Sequence, residues 1–154
     1  MPAVDASDQA RDEITALVHG YAELLDRGDV DGVLVLFARA TWRSAATGTV
    51  LRTREELRAV YSALVPADGP IRTRHLMHNL VIVLDDGADD ARARCSYTVL
   101  EGGEPGTPVR ILLVGRYEDE YRRDSDGWYL TDRRFHVDLD ATSPRRSPGA
   151  SVAS

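Results

Sequence analysis

Few side chains in this sequence are of a type that carries out covalent or metal chemistry. All 19 Lys-or-Arg positions are Arg. The absence of Lys excludes the Schiff-base chemistry of imine-forming aldolases and pyridoxal-phosphate enzymes. It also excludes the GxxxxGK phosphate loop, and no GxGxxG segment opens a helix. The one cysteine, Cys95, cannot form an internal disulfide or a thiolate-rich metal site, and its apolar strand context is typical of a small buried hydrophobe.

The histidines are the natural candidates for proton transfer, because imidazole is the side-chain group that most readily gains and loses a proton under physiological conditions. His75 and His78 stand three residues apart on a predicted strand and therefore point to opposite faces, which excludes a shared metal site. His19 lies about 200° around a predicted helix from Tyr21 and is expected to face solvent. His136 lies near the end of the chain. His75 is therefore the leading candidate.

The alternation along the strand of His75 predicts its neighbours on each face. The face of His75 is expected to carry Met77, Asn79, Val81 and Val83. The face of His78 is expected to carry Leu76 and Leu80.

Length and charge limit the classes of function that this chain can have. Its 154 residues and 17.0 kDa suit one domain, and its composition is that of a globular protein. The net charge of -6 argues against a nucleic-acid or anionic-membrane partner. No apolar run is long enough for a membrane span, and the first residues lack a signal-peptide pattern, so we expect a cytoplasmic protein.

The apolar periodicity predicts three helices in the first half of the chain. Ser7 is expected to cap the first helix, whose stripe is formed by Ile14, Leu17, Val18, Tyr21, Leu24 and Leu25. Asp29 is expected to cap a second, shorter helix after Gly28. Thr53 and Glu56 have the spacing of a capping box that opens the third helix.

The second half of the chain is predicted to be strand. A short hairpin over 41–45 and 49–52 precedes long strands at 75–84, 91–100, 109–122 and 128–139, which short turns join into antiparallel pairs. Helices followed by a meander predict an α+β domain with the helices on one face of a strongly curved antiparallel sheet. We expect a loose leader at 1–6, the domain at 7–140 and a disordered tail at 141–154.

Three segments carry a resemblance to a known family. They are YAELLDRGDVDGVLVLFA, TRHLMHNLVIVLD and VGRYEDEYRRDSDGWYLTDRR, and they occur in the same order as in the SnoaL-like branch of the NTF2-like superfamily. The resemblance implies a cone-shaped α+β barrel with a deep pocket for a small hydrophobic ligand, no cofactor, and homodimers formed through the outer sheet face. Relatives include scytalone dehydratase, bile-acid dehydratases, ketosteroid isomerases and polyketide cyclases, so function depends on the groups that line the pocket.

The resemblance also implies a catalytic set, Tyr21, Asp26 and His75. In this hypothesis the Tyr21 phenol donates a hydrogen bond to a substrate carbonyl and stabilises the enolate. His75 takes the adjacent C–H proton and returns it, and Asp26 orients the imidazole. An alternative stays open for Tyr21, which also fits an ordinary core position. Asp26 also fits a solvated helix end, although a carboxylate there opposes the helix dipole.

Further pocket residues are implied by the same resemblance. Of Arg133 and Arg134 only one can face inward, where it would hold a ligand oxygen or, as we favour, form a salt bridge with Asp119, Glu120 or Asp132. The expected ligand-binding set is Phe37, Trp42, Tyr61, Met77, Asn79, Tyr97, Leu113, Tyr117, Trp128, Arg133 and Arg134.

The sequence also departs from the dehydratase pattern. Where relatives carry a second His or an acidic residue, this chain has Cys-Ser-Tyr-Thr at 95–98. Where they carry an acidic residue after the Phe of the second helix, it has Ala-Arg-Ala at 38–40. The leading hypothesis is a cofactor-independent lyase or isomerase of a small hydrophobic carbonyl compound. The alternatives are a non-catalytic small-molecule-binding protein and a small structural subunit of an aromatic-ring dioxygenase.

Overall fold

The computed structural model describes residues 5–85 and 89–142. Residues 1–4 of the expected leader and residues 143–154 of the expected tail lie outside the described residues. None of the helices in the described part of the chain combines the length and the apolar character that a membrane crossing needs.

Helix α1 (Ala6–Arg27) contains the predicted apolar stripe, with Ile14, Val18 and Tyr21 buried. Its N-cap is Asp5, whose carboxylate accepts the Ser7 N–H, so the predicted Ser7 cap is wrong by two residues. A carboxylate is also favoured there by the helix dipole. The helix ends at Arg27, and Gly28 caps it with a φ of 68°, which suits the left-handed C-terminal position.

Helices α2 (Val30–Leu36) and α3 (Arg54–Ser62) begin at the predicted caps. The Asp29 carboxylate accepts the Gly32 N–H at 2.8 Å. The capping box is complete, because Thr53 Oγ1 accepts the Glu56 N–H at 3.2 Å and Glu56 Oε2 accepts the Thr53 N–H at 2.9 Å. Both predictions are confirmed.

The described residues form a six-stranded, strongly curved sheet that does not close. Its strands are β1 (Thr41–Ser44), β2 (Val50–Leu51), β3 (Thr73–Leu84), β4 (Asp90–Glu101), β5 (Arg110–Asp124) and β6 (Gly127–Asp140). They lie in the order β2-β1-β6-β5-β4-β3, antiparallel except for the parallel pair β1–β6. The predicted α+β class and curved sheet are confirmed, and β2 and β3 are the edges.

A bulge in β3 changes which of its side chains face the core. The pairing with β4 shifts between His78 and Val81, and Asn79 has a φ of 54°, which Asn adopts more readily than most residues. Leu80, Ile82 and Leu84 pack against the core, whereas Val81 and Val83 are exposed. The faces predicted for residues 79–81 and for Val83 are therefore wrong, because one extra residue reverses the alternation.

The core lies between the helices and the concave face of the sheet. It consists mainly of the α1 stripe, Val33, Leu34 and Phe37 from the second helix, Leu57 and Tyr61 from the third, and inward residues of β4, β5 and β6. Helix α1 runs beside the edge strand β3, where Arg11 Nη1 donates to the Ile82 carbonyl at 2.6 Å. This packing brings the last turn of α1 to the beginning of β3.

Candidate active site

A histidine–carboxylate pair forms where α1 meets β3. His75 Nδ1 lies 2.8 Å from Asp26 Oδ1, and the two side chains are 15% and 16% exposed. The carboxylate also accepts the backbone N–H of His75, at 3.0 Å and 3.2 Å to its two oxygens. These bonds compensate for the unfavourable position of Asp26 at the negative end of the helix dipole.

The pairing fixes the hydrogen-bonding role of each imidazole nitrogen. A carboxylate only accepts, so Nδ1 carries a proton toward Asp26 and the neutral ring has its lone pair on Nε2. Asp26 also stabilises the imidazolium that would form if Nε2 took a proton. The arrangement therefore suits a general base that can return its proton as a general acid.

Two tyrosine hydroxyls meet in the interior. Tyr21 Oη and Tyr61 Oη are 3.0 Å apart, and both residues are buried. Burial raises the pKa of Tyr61 well above its usual value; the neighbouring Tyr21 adds to this rise, and Arg133 partly opposes it. The Tyr61 phenol therefore stays protonated and able to donate a hydrogen bond.

His75 and Tyr61 line the same small cavity, which is partly open to solvent. Its volume is about 30 Å³, close to the share of one water molecule in the liquid. The remaining lining comes from Leu24, Leu25, Gly28, Asp29, Val30, Val33, Leu64, Val65 and Thr73. Tyr21 is not part of this lining, so Tyr61 is the tyrosine nearer to the cavity. An organic ligand can enter only if neighbouring side chains move.

Aromatic rings fill most of the interior beyond this cavity. Tyr97 stacks on Tyr117 with centroids 4.6 Å apart and on Phe135 at 5.5 Å, and Trp42 stacks on Phe135 at 5.9 Å. Tyr21 contacts Tyr117 edge-on at 5.8 Å. Several residues expected to line a ligand pocket thus pack on one another. Phe135 is missing from the sequence-based set, although its position two residues after Arg133 on β6 places it on the same face.

The structure decides which of the two consecutive arginines faces inward. The Arg133 side chain is 1% exposed, and it binds Asp119 through Nε at 2.8 Å and Nη2 at 2.6 Å. Tyr121 donates its hydroxyl hydrogen to the same carboxylate at 2.9 Å. The favoured salt bridge with Asp119 is therefore present. Arg134 lies on the exposed side of β6, and Asn79 is also exposed, so neither reaches the interior.

Comparison with known proteins decides the family. The family model of the SnoaL-like domain matches residues 7–134. The chain belongs to the SnoaL-like family. No curated protein sequence matches it at a significant level.

Solved structures share the NTF2-like fold of this SnoaL-like chain. A protein of unknown function from Mycobacterium tuberculosis is 26% identical, with a TM-score of 0.70 over 90% of this chain and 79% of that one. A protein assigned as the β subunit of an aromatic-ring-hydroxylating dioxygenase from Novosphingobium aromaticivorans is 22% identical, with a TM-score of 0.71 over 88% and 93%. A protein assigned as an NTF2-like dehydratase from Streptomyces avermitilis is 18% identical, with a TM-score of 0.67 over 86% and 98%.

The other reactive residues of this SnoaL-like domain lie away from the pair. His19 is exposed as expected, and His78 lies outside the core with Nε2 3.1 Å from Thr98 Oγ1. Burial of Cys95 raises its pKa to about 11, so the thiol stays protonated at neutral pH. Among the described residues, no cluster of His, Cys, Asp and Glu has the geometry to hold a metal ion.

The remaining members of the expected ligand-binding set belong to the core. Phe37 and Trp128 are buried, and Met77 and Leu113 pack against the core while partly exposed. Arg123 lies over the Trp128 ring at 5.6 Å.

Proposed function

We propose that this protein is a cofactor-independent lyase or isomerase that acts on a small hydrophobic carbonyl compound. The observation that carries the proposal is the 2.8 Å contact between His75 Nδ1 and Asp26 at the wall of the cavity shared with Tyr61. The contact leaves Nε2 of a neutral His75 as the basic nitrogen.

In the proposed reaction, His75 Nε2 takes a proton from the carbon next to the substrate carbonyl. The C–H electron pair moves into the carbonyl system, and the enolate oxygen accepts a hydrogen bond from a tyrosine hydroxyl. Tyr61 is the better placed donor because it lines the cavity, and Tyr21 positions it through the 3.0 Å hydroxyl contact. The imidazolium then returns the proton to a departing hydroxyl, which leaves as water, or to another carbon, which gives an isomer.

Membership of the SnoaL-like family supports this class of reaction. The SnoaL-like match covers residues 7–134, and one structural neighbour is assigned as a dehydratase. Neither names a substrate. The aromatic interior favours an apolar compound, and the one buried cation described inside the domain, Arg133, is already paired with Asp119.

The small cavity favours a second candidate, a non-catalytic subunit. A volume of about 30 Å³ holds no organic substrate as it stands, and one neighbour with a TM-score of 0.71 is assigned as a dioxygenase β subunit. Co-purification with a large iron-containing chain would support this candidate. A chain that forms a homodimer alone and turns over a carbonyl compound would reject it.

The outer sheet face supports a homodimer. Leu76, Val81 and Val83 expose apolar side chains there, with 49%, 42% and 48% of their surface accessible. Opposite charges alternate across neighbouring strands: Glu118 on β5 lies opposite Arg94 on β4 and opposite Arg134 on β6. A second copy related by a two-fold axis could match such a surface. Light scattering after size exclusion should give a dimer for the parent and a monomer for Val81→Glu.

A ligand and turnover screen tests the proposed reaction. Aromatic, steroid-like and polyketide-like carbonyl compounds would be added to the parent, to His75→Ala and to His78→Ala, which alters an exposed histidine on the same strand. A true ligand should raise the melting temperature of all three proteins. The parent and His78→Ala should convert it, and His75→Ala should not. Binding without conversion by any of the three would support the binding-protein alternative.

A further inference from the structure

The segment 66–71, which lies between α3 and β3, runs beside the opening of the small cavity that contains His75. Leu64 and Val65, just before the segment, and Thr73, just after it, all belong to the cavity lining. Leu64 is 64% exposed, so this part of the lining borders solvent. A ligand that enters here must pass the segment before it reaches His75.

Gly28 is the residue against which the segment packs. A Cβ atom at position 28 would lie 2.4 Å from Ile71 Cδ1 and 3.6 Å from Val65 Cγ2. The first distance is too short for two carbon atoms, so Ile71 fills space that only a glycine leaves free. Gly28 also belongs to the cavity lining. Ile71 and Val65 therefore hold the segment against the wall of the cavity.

Within the described chain, residues 66–71 are held by apolar contacts and not by hydrogen bonds. None of their backbone or side-chain groups has a hydrogen-bond or ion-pair partner among the described residues. The hydrogen bonds lie at the two ends, where the Val65 N–H donates to the Ser62 carbonyl at 3.2 Å and the Gly102 N–H donates to the Arg72 carbonyl at 2.9 Å. A segment attached in this way can move locally while the rest of the domain stays folded.

An open groove beside the segment offers it a second position. The groove has a volume of about 440 Å³ and is lined by Pro70, Ile71, Arg72, Arg74, Leu100, Gly102, Gly103 and Val109. Val109 is 64% exposed and Leu100 is half-buried, so the groove has apolar surface that Ile71 can contact. Ile71 thus borders both Gly28 and the groove, and a small movement of the segment would exchange one contact for the other.

We propose that residues 66–71 form a gate over the candidate active site, closed when Ile71 packs on Gly28 and open when Ile71 lies in the groove beside Val109. The inference rests on the proposed function, because a gate is needed only if a ligand must reach His75. Opening enlarges a cavity of about 30 Å³ toward the roughly 300 Å³ or more of a ligand pocket. Closing the gate over a bound ligand then keeps water from the reacting atoms.

A reversible crosslink tests whether the gate must open. A Cβ atom at position 28 would lie 3.7 Å from Ile71 Cγ1, close enough for a disulfide in the double variant Gly28→Cys with Ile71→Cys. Diamide would form the bridge, dithiothreitol would break it, and mass spectrometry would verify both states. NMR titration should show binding of acetophenone to the reduced protein and loss of binding in the oxidised protein. Each single cysteine variant should bind in both states, since the native Cys95 is buried.

Truncation of Ile71 tests the gate without placing a cysteine at the left-handed position of Gly28. Ile71→Ala weakens the closed state, so the association and dissociation rates of acetophenone, measured by NMR line shape, should both rise about tenfold. Val109→Trp fills the groove and should slow association. Val35→Trp, which changes an exposed valine of α2 away from the groove, should behave as the parent.

The gate and the proposed reaction fail in different ways. Binding to the oxidised double variant, unchanged rates in Ile71→Ala, or no binding of acetophenone to any of these proteins would overturn the gate. Binding that depends on the gate without exchange of the α-protons of acetophenone would leave the gate in place and reject the proposed reaction.

Discussion

Asp26 holds His75 by its backbone and by its ring at the same time. The carboxylate accepts the His75 N–H at 3.0 Å and lies 2.8 Å from Nδ1, so it fixes the first residues of β3 and the imidazole together. A side chain that only capped the strand would not need the ring contact. A pair that only served the ring would not need the backbone bond. The double contact presets both the position and the tautomer of the histidine.

Replacing Asp26 should therefore reduce activity by far more than any accompanying loss of folding stability would explain. Asp26→Asn keeps the shape but removes the charge that stabilises the imidazolium, so turnover should fall about 100-fold or more. Glu23→Gln, which removes an exposed carboxylate from the same helix, is the matched control. A turnover number within a factor of about three of the parent for Asp26→Asn would mean that His75 works without Asp26.

The two interior tyrosines should differ in their effects. Tyr61→Phe removes the hydroxyl of the tyrosine that lines the cavity and should lower turnover about 100- to 1000-fold, as the loss of one oxyanion donor does. Tyr21→Phe leaves the Tyr61 hydroxyl without its 3.0 Å partner and should have a smaller effect on turnover. Steady-state rates for the two variants decide between them. A larger loss for Tyr21→Phe would make Tyr21 the donor instead.

Removing one partner of the buried ion pair should destabilise the protein strongly, whereas replacing both partners with apolar residues should not. Arg133→Met leaves Asp119 charged and unpaired in the core, and should reduce the free energy of unfolding by about 3–5 kcal/mol. The additional change Asp119→Leu should restore most of that loss. Urea denaturation of the single and double variants measures both. If the double variant is no more stable than Arg133→Met, the pair does not act as a unit.

Stability should decline from about pH 9 upward. Burial raises the pKa of Cys95 from 9.0 to about 11, and burial likewise raises the pKa of Tyr61, Tyr117 and Tyr121 well above 10. Above the unfolded value the unfolded chain loses these protons while the folded chain keeps them, so the folded state binds more protons and stability falls as pH rises.

Cys95→Ala measures how much the Cys95 thiol contributes to this loss of stability at alkaline pH. The variant lacks the thiol, so between pH 9 and 11 its free energy of unfolding should decrease less steeply than that of the parent. Urea titrations at several pH values provide the comparison. Parallel curves for the two proteins would show that the thiol does not contribute.

Much of the fold follows from local sequence signals, and the exceptions have physical causes. The capping box at Thr53 and Glu56 and the cap at Asp29 are local patterns, and the structure contains both. The bulge at Asn79 was missed because a single left-handed residue leaves no trace in an alternating pattern. The missed bulge led to the wrong face for Val81 and Val83.

The candidate site was only partly predictable. The resemblance pointed to Asp26 and His75, and the structure brings them into contact, although their catalytic role stays a prediction. The resemblance assigned the hydrogen-bond donor to Tyr21 and placed Tyr61 among the ligand-binding residues, whereas the packing of α3, which local sequence patterns do not show, puts Tyr61 in the lining of the cavity. Nor could sequence reasoning show that the interior is filled, since stacking of Tyr97, Tyr117 and Phe135 depends on the curvature of the sheet.

Exchange of α-protons for deuterium tests the central claim most directly, because it follows the proton that His75 is proposed to remove and needs no complete turnover. A neutral aryl ketone such as acetophenone, in deuterated water, would be followed by NMR with the parent, His75→Ala and His78→Ala. The account predicts enzyme-dependent exchange with the parent and with His78→Ala, and a rate no higher than that of buffer with His75→Ala. Exchange that is unchanged in His75→Ala, or absent from the parent when the ketone is shown to bind, would contradict it.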